Sequence, residues 1–242
     1  MTEITPPRIL AVIPAYREEN RVGRVVRGLR EQGIDVLVVD DCSPDGTGAE
    51  ARQAGAHVMR LPINLGYGGA LQTGYRYACR QGYEAVVQLD ADGQHDPADA
   101  LRLIEPVLSG ECDVVVGSRF LEPEHYRMPF ARTIGRKLFK SLAWVFTGRS
   151  FSDPTSGYQG LSGRVACLFC TEVFPEDYPD ADMLVMLHRR GFRIQEKAVR
   201  MYSNEEQSMH SGVIKPLFYV FKMTLALFMA VLRDMRPRRG EP

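Results

Sequence analysis

Short apolar runs alternate with longer segments of helical spacing through the first half of the chain. The apolar runs are continuous rather than alternating, which predicts parallel strands buried on both faces of one sheet. The predicted strands are residues 9–13, 36–39, 57–61, 85–89 and 113–116. The predicted helices between them are residues 18–33, 68–82 and 97–109. We therefore expect an α/β fold in which Pro14 ends the first strand.

A polar cluster follows each of the five predicted strands. These clusters are residues 14–18, 40–41, 64–69, 90–94 and 117–119. In parallel α/β sheets, ligands bind beyond the carboxyl ends of the strands. We therefore expect the five loops to converge on one ligand-binding rim.

Two carboxylates stand one residue apart directly after the fourth predicted strand. Asp90 and Asp92 flank Ala91, and Gln94 and His95 follow closely. Carboxylates that leave water must pair, protonate or bind a metal, and hard oxygen donors suit Mg²⁺ or Mn²⁺. A divalent cation held there would neutralise a diphosphate, which points to nucleotide-sugar chemistry. The same residues are also compatible with an ordinary solvated turn.

Other rim residues fit a nucleotide. Tyr16 and Glu18 could stack on and hydrogen-bond a base or ribose, and Asp40 or Asp41 could accept a hydrogen bond from either. The aspartates are equally compatible with a capping turn that opens the next helix. The glycine-rich segment 64–70 would let backbone approach a ligand closely. Because it lacks a P-loop lysine and the dinucleotide spacing, kinase-like and NAD-dependent functions are disfavoured.

Composition sets limits on the function. The chain has 242 residues, enough for one domain of ordinary size, and its 30 basic and 30 acidic residues cancel. There is thus no global field to recruit nucleic acid. The five cysteines form no metal-type pair of pairs, since Cys167-x-x-Cys170 has no second half. We expect reduced thiols in a cytosolic protein, and the polar residues 1–7 give no sign of a secretory signal.

The five motifs together resemble a known family. They are VIPAYREEN at 12–20, VVDDCSPDGT at 38–47, NLGYG at 64–68, DADGQH at 90–95 and GSR at 117–119. In this order they look like the motifs of family 2 inverting glycosyltransferases of the GT-A fold. The branch that they resemble is the dolichol-phosphate mannosyltransferase-like, or polyprenyl-phosphate glycosyltransferase, group. The resemblance covers roughly residues 8 to 200 and implies a mostly parallel, Rossmann-like sheet flanked by helices.

The resemblance also implies roles on the donor side. The residues that would bind the nucleotide-sugar are Pro14, Ala15, Tyr16, Glu18, Asp41, Gly69, Asp90 and Ala91. Those that would ligate Mg²⁺ or Mn²⁺ are Asp90, Asp92 and Gln94. In this family the sugar is attacked from the face opposite the nucleotide, which inverts the anomeric centre. The metal then stabilises the leaving diphosphate, which makes Asp92 a catalytic candidate.

On the acceptor side, Arg119 would bind a phosphate, although a surface ion pair is the competing interpretation. The residues predicted to bind the acceptor are Arg119, Arg132, Asp153, Ser156 and Ser208. Asp180 or Asp182 stands where a family 2 enzyme places its general base, and both also suit helix capping. A hydroxyl acceptor needs such a base, whereas a phosphate acceptor is already largely dianionic at neutral pH.

Two segments favour a membrane surface. Residues 125–149 carry six cations and no acidic residue among bulky apolar side chains, and residues 216–232 are nearly all apolar. Lys222 interrupts the second run at a cost of about 2.5 to 3.5 kcal/mol for insertion, which disfavours a spanning helix. We predict a peripheral enzyme on the cytoplasmic face of the membrane. Alternatively, the first segment packs on the sheet and the second forms a homodimer contact.

The expected organisation is a glycosyltransferase domain at 1–210, with a nucleotide-sugar half at 8–119 and an acceptor half at 120–210. Residues 211–242 form a C-terminal helix and basic tail. One departure concerns residues 203–208, which lack the arginine and glycine of the branch's usual Arg-x-x-Gly-x-Ser. Arg200 or His210 could replace that cation.

The predicted reaction moves a hexose from a UDP- or GDP-sugar to a polyprenyl phosphate. The first alternative keeps this donor and uses a soluble or glycolipid hydroxyl as acceptor, with Asp180 or Asp182 as base. A nucleotidyltransferase is a more distant alternative. It is disfavoured because it would need a lysine-bearing phosphate loop near the N-terminus, and the sequence has none there. The last alternative is a non-catalytic nucleotide-sugar binding module.

Overall fold

The computed structural model describes residues 7–122, 144–145, 147–174 and 181–202. Within these residues, seven strands form one sheet in the order β3-β2-β1-β4-β6-β5-β7. The strands are β1 Ile9–Ala15, β2 Asp35–Asp40, β3 His57–Arg60, β4 Ala85–Gln88, β5 Val114–Ser118, β6 Gln159–Ser162 and β7 Ile194–Ala198. The helices of the described part are α1 Val22–Arg30, α2 Thr47–Gln53, α3 Gly66–Arg80, α4 Ala100–Leu108, α5 Gly163–Leu168 and α6 Ala181–Arg189. The predicted α/β class is confirmed.

All five predicted strands and the helices between them are present, with shifted ends. The prediction that Pro14 ends the first strand is wrong, because β1 continues to Ala15 and pairs with β2 that far. β4 pairs with β1 only as far as Val12, so one edge of β1 is open beyond it and a proline is tolerated there. The first helix begins at Val22, since the backbone N–H of Arg21 closes a turn on the carbonyl of Glu18.

β6 is the strand that the apolar pattern did not predict. It runs antiparallel between β4 and β5, where Gln159 pairs with Gln88 on one side and Val116 on the other. Because β6 runs opposite to its neighbours, it begins at the edge where they end. The segment before it, residues 153–158, therefore enters the sheet at the predicted rim.

The core lies on both faces of the sheet, as the continuous apolar runs predicted. On one face Leu71, Phe169 and Leu184 of the helical layer join the buried side chains of the strands. On the other, Val26 and Leu103 do the same. This two-sided burial fixes the strands and leaves their carboxyl ends as the accessible edge.

The structure corrects the expectation that all five cysteines are reduced. Cys79 of α3 and Cys167 of α5 form a disulfide, although 88 residues separate them in sequence. The two helices pack together and bring the Cα atoms to 5.4 Å, the usual disulfide separation. Cys42, Cys112 and Cys170 are free thiols. No local spacing rule could reveal a pair that only tertiary packing creates.

Removing this disulfide should destabilise the fold. Replacing Cys79 and Cys167 together with serine is expected to lower the free energy of unfolding by about 2 to 4 kcal/mol, because the crosslink closes a long loop in the unfolded chain. Urea unfolding without reductant measures the difference, with Cys42→Ser as the control. Equal stability of the double variant and the parent protein would show that the bond does not form in solution.

Several predictions fall on residues outside the described ranges. They concern Arg132, Asp180, Ser208, most of the basic segment 125–149, the departure at 203–208 and the apolar segment 216–232. Among the residues that are described, no helix combines the length and apolar character needed to cross a membrane.

Candidate active site

The rim loops contact one another through specific hydrogen bonds. The hydroxyl of Ser43, after β2, accepts from the backbone N–H of Arg17, after β1, at 3.2 Å. Both loops contain a non-glycine residue in the left-handed region, Arg17 at φ 59° and Cys42 at φ 60°. Such backbone strain persists where surrounding contacts over-determine the conformation, as at ligand-binding loops.

A cavity of about 320 Å³ opens between these loops and the start of α3. Its lining residues are Pro14, Ala15, Tyr16, Asp41, Asn64, Gly66, Tyr67 and Ala70. The volume lies at the lower end of ordinary ligand pockets and is sufficient for a nucleoside. Four predicted donor residues line it, and the half-exposed ring of Tyr16 offers a stacking surface. Gly69 lies further inside α3 and is not part of the lining.

Asp41 organises one wall of this cavity. Its two carboxylate oxygens accept from the backbone N–H groups of Leu65 at 2.7 Å and Gly66 at 2.9 Å. The side chain of Asn64 also donates to the Asp41 carbonyl at 3.2 Å. A buried carboxylate at a helix N-terminus is stabilised by such donors. Asp41 thus fixes the start of α3, a role the sequence did not reveal; its contact with a nucleoside stays a prediction.

The two carboxylates after β4 have different environments. Oδ1 of Asp90 accepts from the Tyr67 hydroxyl at 2.9 Å, and Oδ2 lies 3.4 Å from Nε2 of the buried His95. Burial works to raise the pKa of Asp90, but the contacts with His95 and Tyr67 outweigh it, so the pKa is lowered. Asp92 accepts from the backbone N–H of Gln94 at 2.9 Å. Burial and the charge of Asp90 raise the pKa of Asp92.

Glu18 faces the same space. Burial raises its pKa, the adjacent Arg21 at 3.0 Å offsets part of this, and the charges of Asp92 and Asp90 raise it further. Negative charge is therefore concentrated where a cation would relieve it, so these residues fit a divalent metal.

Two carboxylates would carry the metal site. Among the described residues, no group of three His, Cys, Asp or Glu is arranged to hold a metal unaided. Asp90 and Asp92 would therefore share the ion with phosphate oxygens, as is usual for Mg²⁺. The backbone N–H of Gln94 donates to Asp92, and the Gln94 carbonyl accepts from the backbone N–H of Tyr202. Ligation by its side chain stays a prediction.

Arg119, at the end of β5, is locked in a buried ion pair. Nε and Nη2 donate to the two oxygens of Asp153 at 2.5 and 2.6 Å, and the Arg119 backbone N–H donates at 3.2 Å. The carboxylate is fully buried and the arginine side chain is 11% exposed. Arg119 therefore does form an ion pair, as the competing interpretation held, but this pair is buried and not on the surface. Phosphate binding by Arg119 stays a prediction.

The loop from Asp153 reaches the carboxylate pair. Its Ser156 is buried, and the hydroxyl accepts from the backbone N–H of Tyr158 at 3.3 Å. A Cβ on Gly157 would lie 3.1 Å from Oδ2 of Asp90, so only glycine fits without displacement. The loop that contains the predicted acceptor residues Asp153 and Ser156 is thus in direct packing contact with the predicted metal ligand Asp90.

The residues after β7 close the rim on its other side. Met201 forms an antiparallel bridge with His95, and the Tyr202 hydroxyl donates to Asp96 at 2.8 Å. No motif in the sequence indicated this contact.

Asp182 lies buried in the first turn of α6, and its part as a general base stays a prediction.

The chain is similar to known proteins along most of its length. A family model described as glycosyl transferase family 2 matches residues 10–165. An undecaprenyl-phosphate mannosyltransferase of Micrococcus luteus is 31% identical over 226 residues, covering 86% of this chain and 89% of that protein. A UDP-N-acetylglucosamine–dolichyl-phosphate N-acetylglucosaminyltransferase of Methanococcus voltae is 26% identical and covers 93% of this chain and 98% of that protein.

A solved structure is similar across nearly the whole chain. The glucosyl-3-phosphoglycerate synthase of Mycobacterium tuberculosis, crystallised with Mn²⁺ and UDP-glucose, aligns with a TM-score of 0.69 and 21% identity. The alignment covers 97% of this chain and 82% of that one. At this identity the likeness concerns the fold, and it confirms the predicted GT-A architecture.

Proposed function

The chain belongs to glycosyl transferase family 2, and from that premise we propose that it is a metal-dependent, inverting hexosyltransferase. Its donor would be a UDP- or GDP-sugar and its acceptor a polyprenyl phosphate. The observation that carries the proposal is the placement of a nucleoside-sized cavity beside a pair of mutually repelling carboxylates. A nucleoside diphosphate with a bound divalent cation would fill the cavity and neutralise the two carboxylates.

The donor would lie across β1 and β4. Tyr16 would stack on the base, and Asp41 would hold the α3 backbone that closes the cavity. Asp90 and Asp92 would hold Mg²⁺ or Mn²⁺ against the diphosphate. The metal, when bound, would stabilise the negative charge that develops on the leaving diphosphate.

The acceptor would approach from the loop before β6. A phosphate monoester has a second pKa near 6 and is largely dianionic at neutral pH, so it can attack without a general base. Attack on the face of the sugar opposite the nucleotide would invert the anomeric centre. Because the Nε and Nη2 groups of Arg119 already donate to Asp153, we infer that further cations also bind the acceptor phosphate, Arg132 among those predicted.

The relatives support the acceptor more than the donor. The Micrococcus luteus and Methanococcus voltae proteins are both named for a polyprenyl-type phosphate, undecaprenyl in one and dolichyl in the other. The sugars in their names differ, mannose against N-acetylglucosamine. We therefore propose the lipid phosphate as acceptor and leave base and sugar to experiment.

Membrane association would follow from a lipid acceptor. We propose that residues 125–149 and 216–232 attach the enzyme to the cytoplasmic face of the membrane. The first carries six cations and the second carries Lys222, in each case beside apolar side chains, which suits an anionic lipid surface. Dimerisation through the second segment is the competing use of the same apolar surface.

A donor screen tests the proposal. UDP-, GDP- and TDP-sugars are each added with and without Mn²⁺, and thermal unfolding is recorded. At about 100 times its dissociation constant the true donor should stabilise the protein by about 2.7 kcal/mol, or roughly 5 to 10 °C, only with metal. If none of these donors raises the unfolding temperature in a metal-dependent way, the proposal is contradicted.

The identified donor is then assayed with polyprenyl phosphate and with the matching polyprenol. Transfer to the phosphate alone, retained in Asp182→Asn, is expected. Transfer to a hydroxyl that Asp182→Asn abolishes would instead support the alternative acceptor.

A further inference from the structure

A polar side chain ends the otherwise apolar strand β4. Gln88 is 2% exposed and lies beside Tyr75 of α3, which is fully buried in the core between that helix and the sheet. Burying an amide and a phenol is costly unless each polar atom finds a partner. Their partners therefore indicate why these groups are there.

The partners form a one-way chain of hydrogen bonds that ends on the carboxylate pair. The Tyr75 hydroxyl donates to Oε1 of Gln88. Nε2 of Gln88 donates to the Tyr67 hydroxyl at 3.2 Å, which donates in turn to Oδ1 of Asp90 at 2.9 Å. An ionised carboxylate can only accept, so the direction of every bond in the chain is fixed.

Tyr67 is the member of this chain that also meets the predicted donor site. It lies in the first turn of α3, and it lines the nucleoside-sized cavity. On the acceptor side, a Cβ on Gly157 would lie 3.2 Å from the Tyr67 hydroxyl. The hydroxyl is thus confined between Gln88, Asp90 and Gly157.

We propose that Tyr67 is a positioning residue that couples the nucleoside cavity to the metal-binding carboxylate. Its hydroxyl holds Asp90 in the orientation that ligates the cation, and its ring forms part of the wall against which the nucleoside packs. The inference rests on the proposed function, since it requires a metal at Asp90.

Two separable consequences follow from this division of roles. Loss of the hydroxyl alone weakens the metal site, because hydrogen bonds to a metal ligand typically contribute 10- to 100-fold to affinity. Loss of the ring weakens nucleoside binding as well. Since a nucleoside packed on the ring also fixes the hydroxyl, nucleoside and metal should each tighten the binding of the other.

Tyr67→Phe tests the proposal, with Tyr77→Phe as the matched control. Tyr77 lies on the same helix, ten residues further along, and stacks on His57 at the far end of β3. Mn²⁺ is titrated by electron paramagnetic resonance with saturating UDP or GDP, against a protein-free blank, and uridine or guanosine binding is measured without metal. Tyr67→Phe should bind Mn²⁺ roughly 10-fold more weakly and bind the nucleoside as the wild type does, whereas Tyr77→Phe should change neither.

Kinetics add a measurement that a general structural defect would not reproduce. Excess Mn²⁺ should restore most of the turnover of Tyr67→Phe, because the lost hydroxyl affects metal affinity. Unchanged Mn²⁺ affinity in Tyr67→Phe, or equal loss of nucleoside binding, would overturn the inference and leave the proposed function standing. Failure of the wild type to bind Mn²⁺ with either nucleotide present would overturn the proposed function itself.

Discussion

Replacing Asp92 with asparagine should lower the rate of sugar transfer about 10³-fold, which corresponds to about 4 kcal/mol of transition-state stabilisation. Asparagine keeps the size and can still accept the hydrogen bond from the backbone N–H of Gln94, but it lacks the charge that would bind the cation. Mn²⁺ should then no longer raise the midpoint of thermal unfolding in the presence of the donor. The exposed Glu111→Gln, in the turn before β5, is the control.

The same substitution should leave the metal-free protein equally stable or more stable. Burial and the charge of Asp90 raise the pKa of Asp92, so its ionised form is less favourable in the folded state than in the unfolded chain. That penalty is present above the raised pKa and disappears as the pH falls through it. Asparagine removes the penalty at neutral pH. A variant that loses both activity and metal-free stability would argue for a structural rather than a metal-binding Asp92.

The second large effect is expected at Arg119. Replacing it with alanine should lower the free energy of unfolding by about 3 to 5 kcal/mol, because Asp153 would remain as a buried charge without its partner. Urea unfolding measures this loss. Any fall in activity of this variant therefore mixes damage to the fold with loss of acceptor binding.

The double variant Arg119→Ala with Asp153→Ala separates the two effects. It should recover much of the stability, since neither buried charge remains. If the Arg119–Asp153 pair also binds the acceptor, the KM for polyprenyl phosphate should stay at least 10-fold above that of the wild type. Recovery of the KM together with stability would mean that Arg119 acts only through Asp153.

The apolar pattern predicted the strands and the rim because burial on both faces of a parallel sheet leaves a local signature. The pairing of Arg119 with Asp153 had none, since 34 residues separate two groups that only β6 brings together. The disulfide between Cys79 and Cys167 escaped prediction for the same reason.

Gln88 illustrates a signal that the sequence did contain. A lone amide within the run 85–89 is unusual in a fully buried strand, because it must find hydrogen-bond partners there, and it marked the hydrogen-bond chain that ends on Asp90. The role of Asp41, by contrast, could not be predicted from the sequence. Its residue type indicated either a ligand contact or a capping turn, and only the structure showed that it fixes the start of α3.

The position of β6 determines the order in which the two sides of the rim can be assembled. Within the described residues, β5 pairs with β6 and β7 and with no earlier strand. As the chain leaves the ribosome, β1 to β4 can therefore pair, while β5 waits for at least 40 further residues of synthesis. The predicted donor side can form first, and Arg119 reaches its place only after most of the chain has been made.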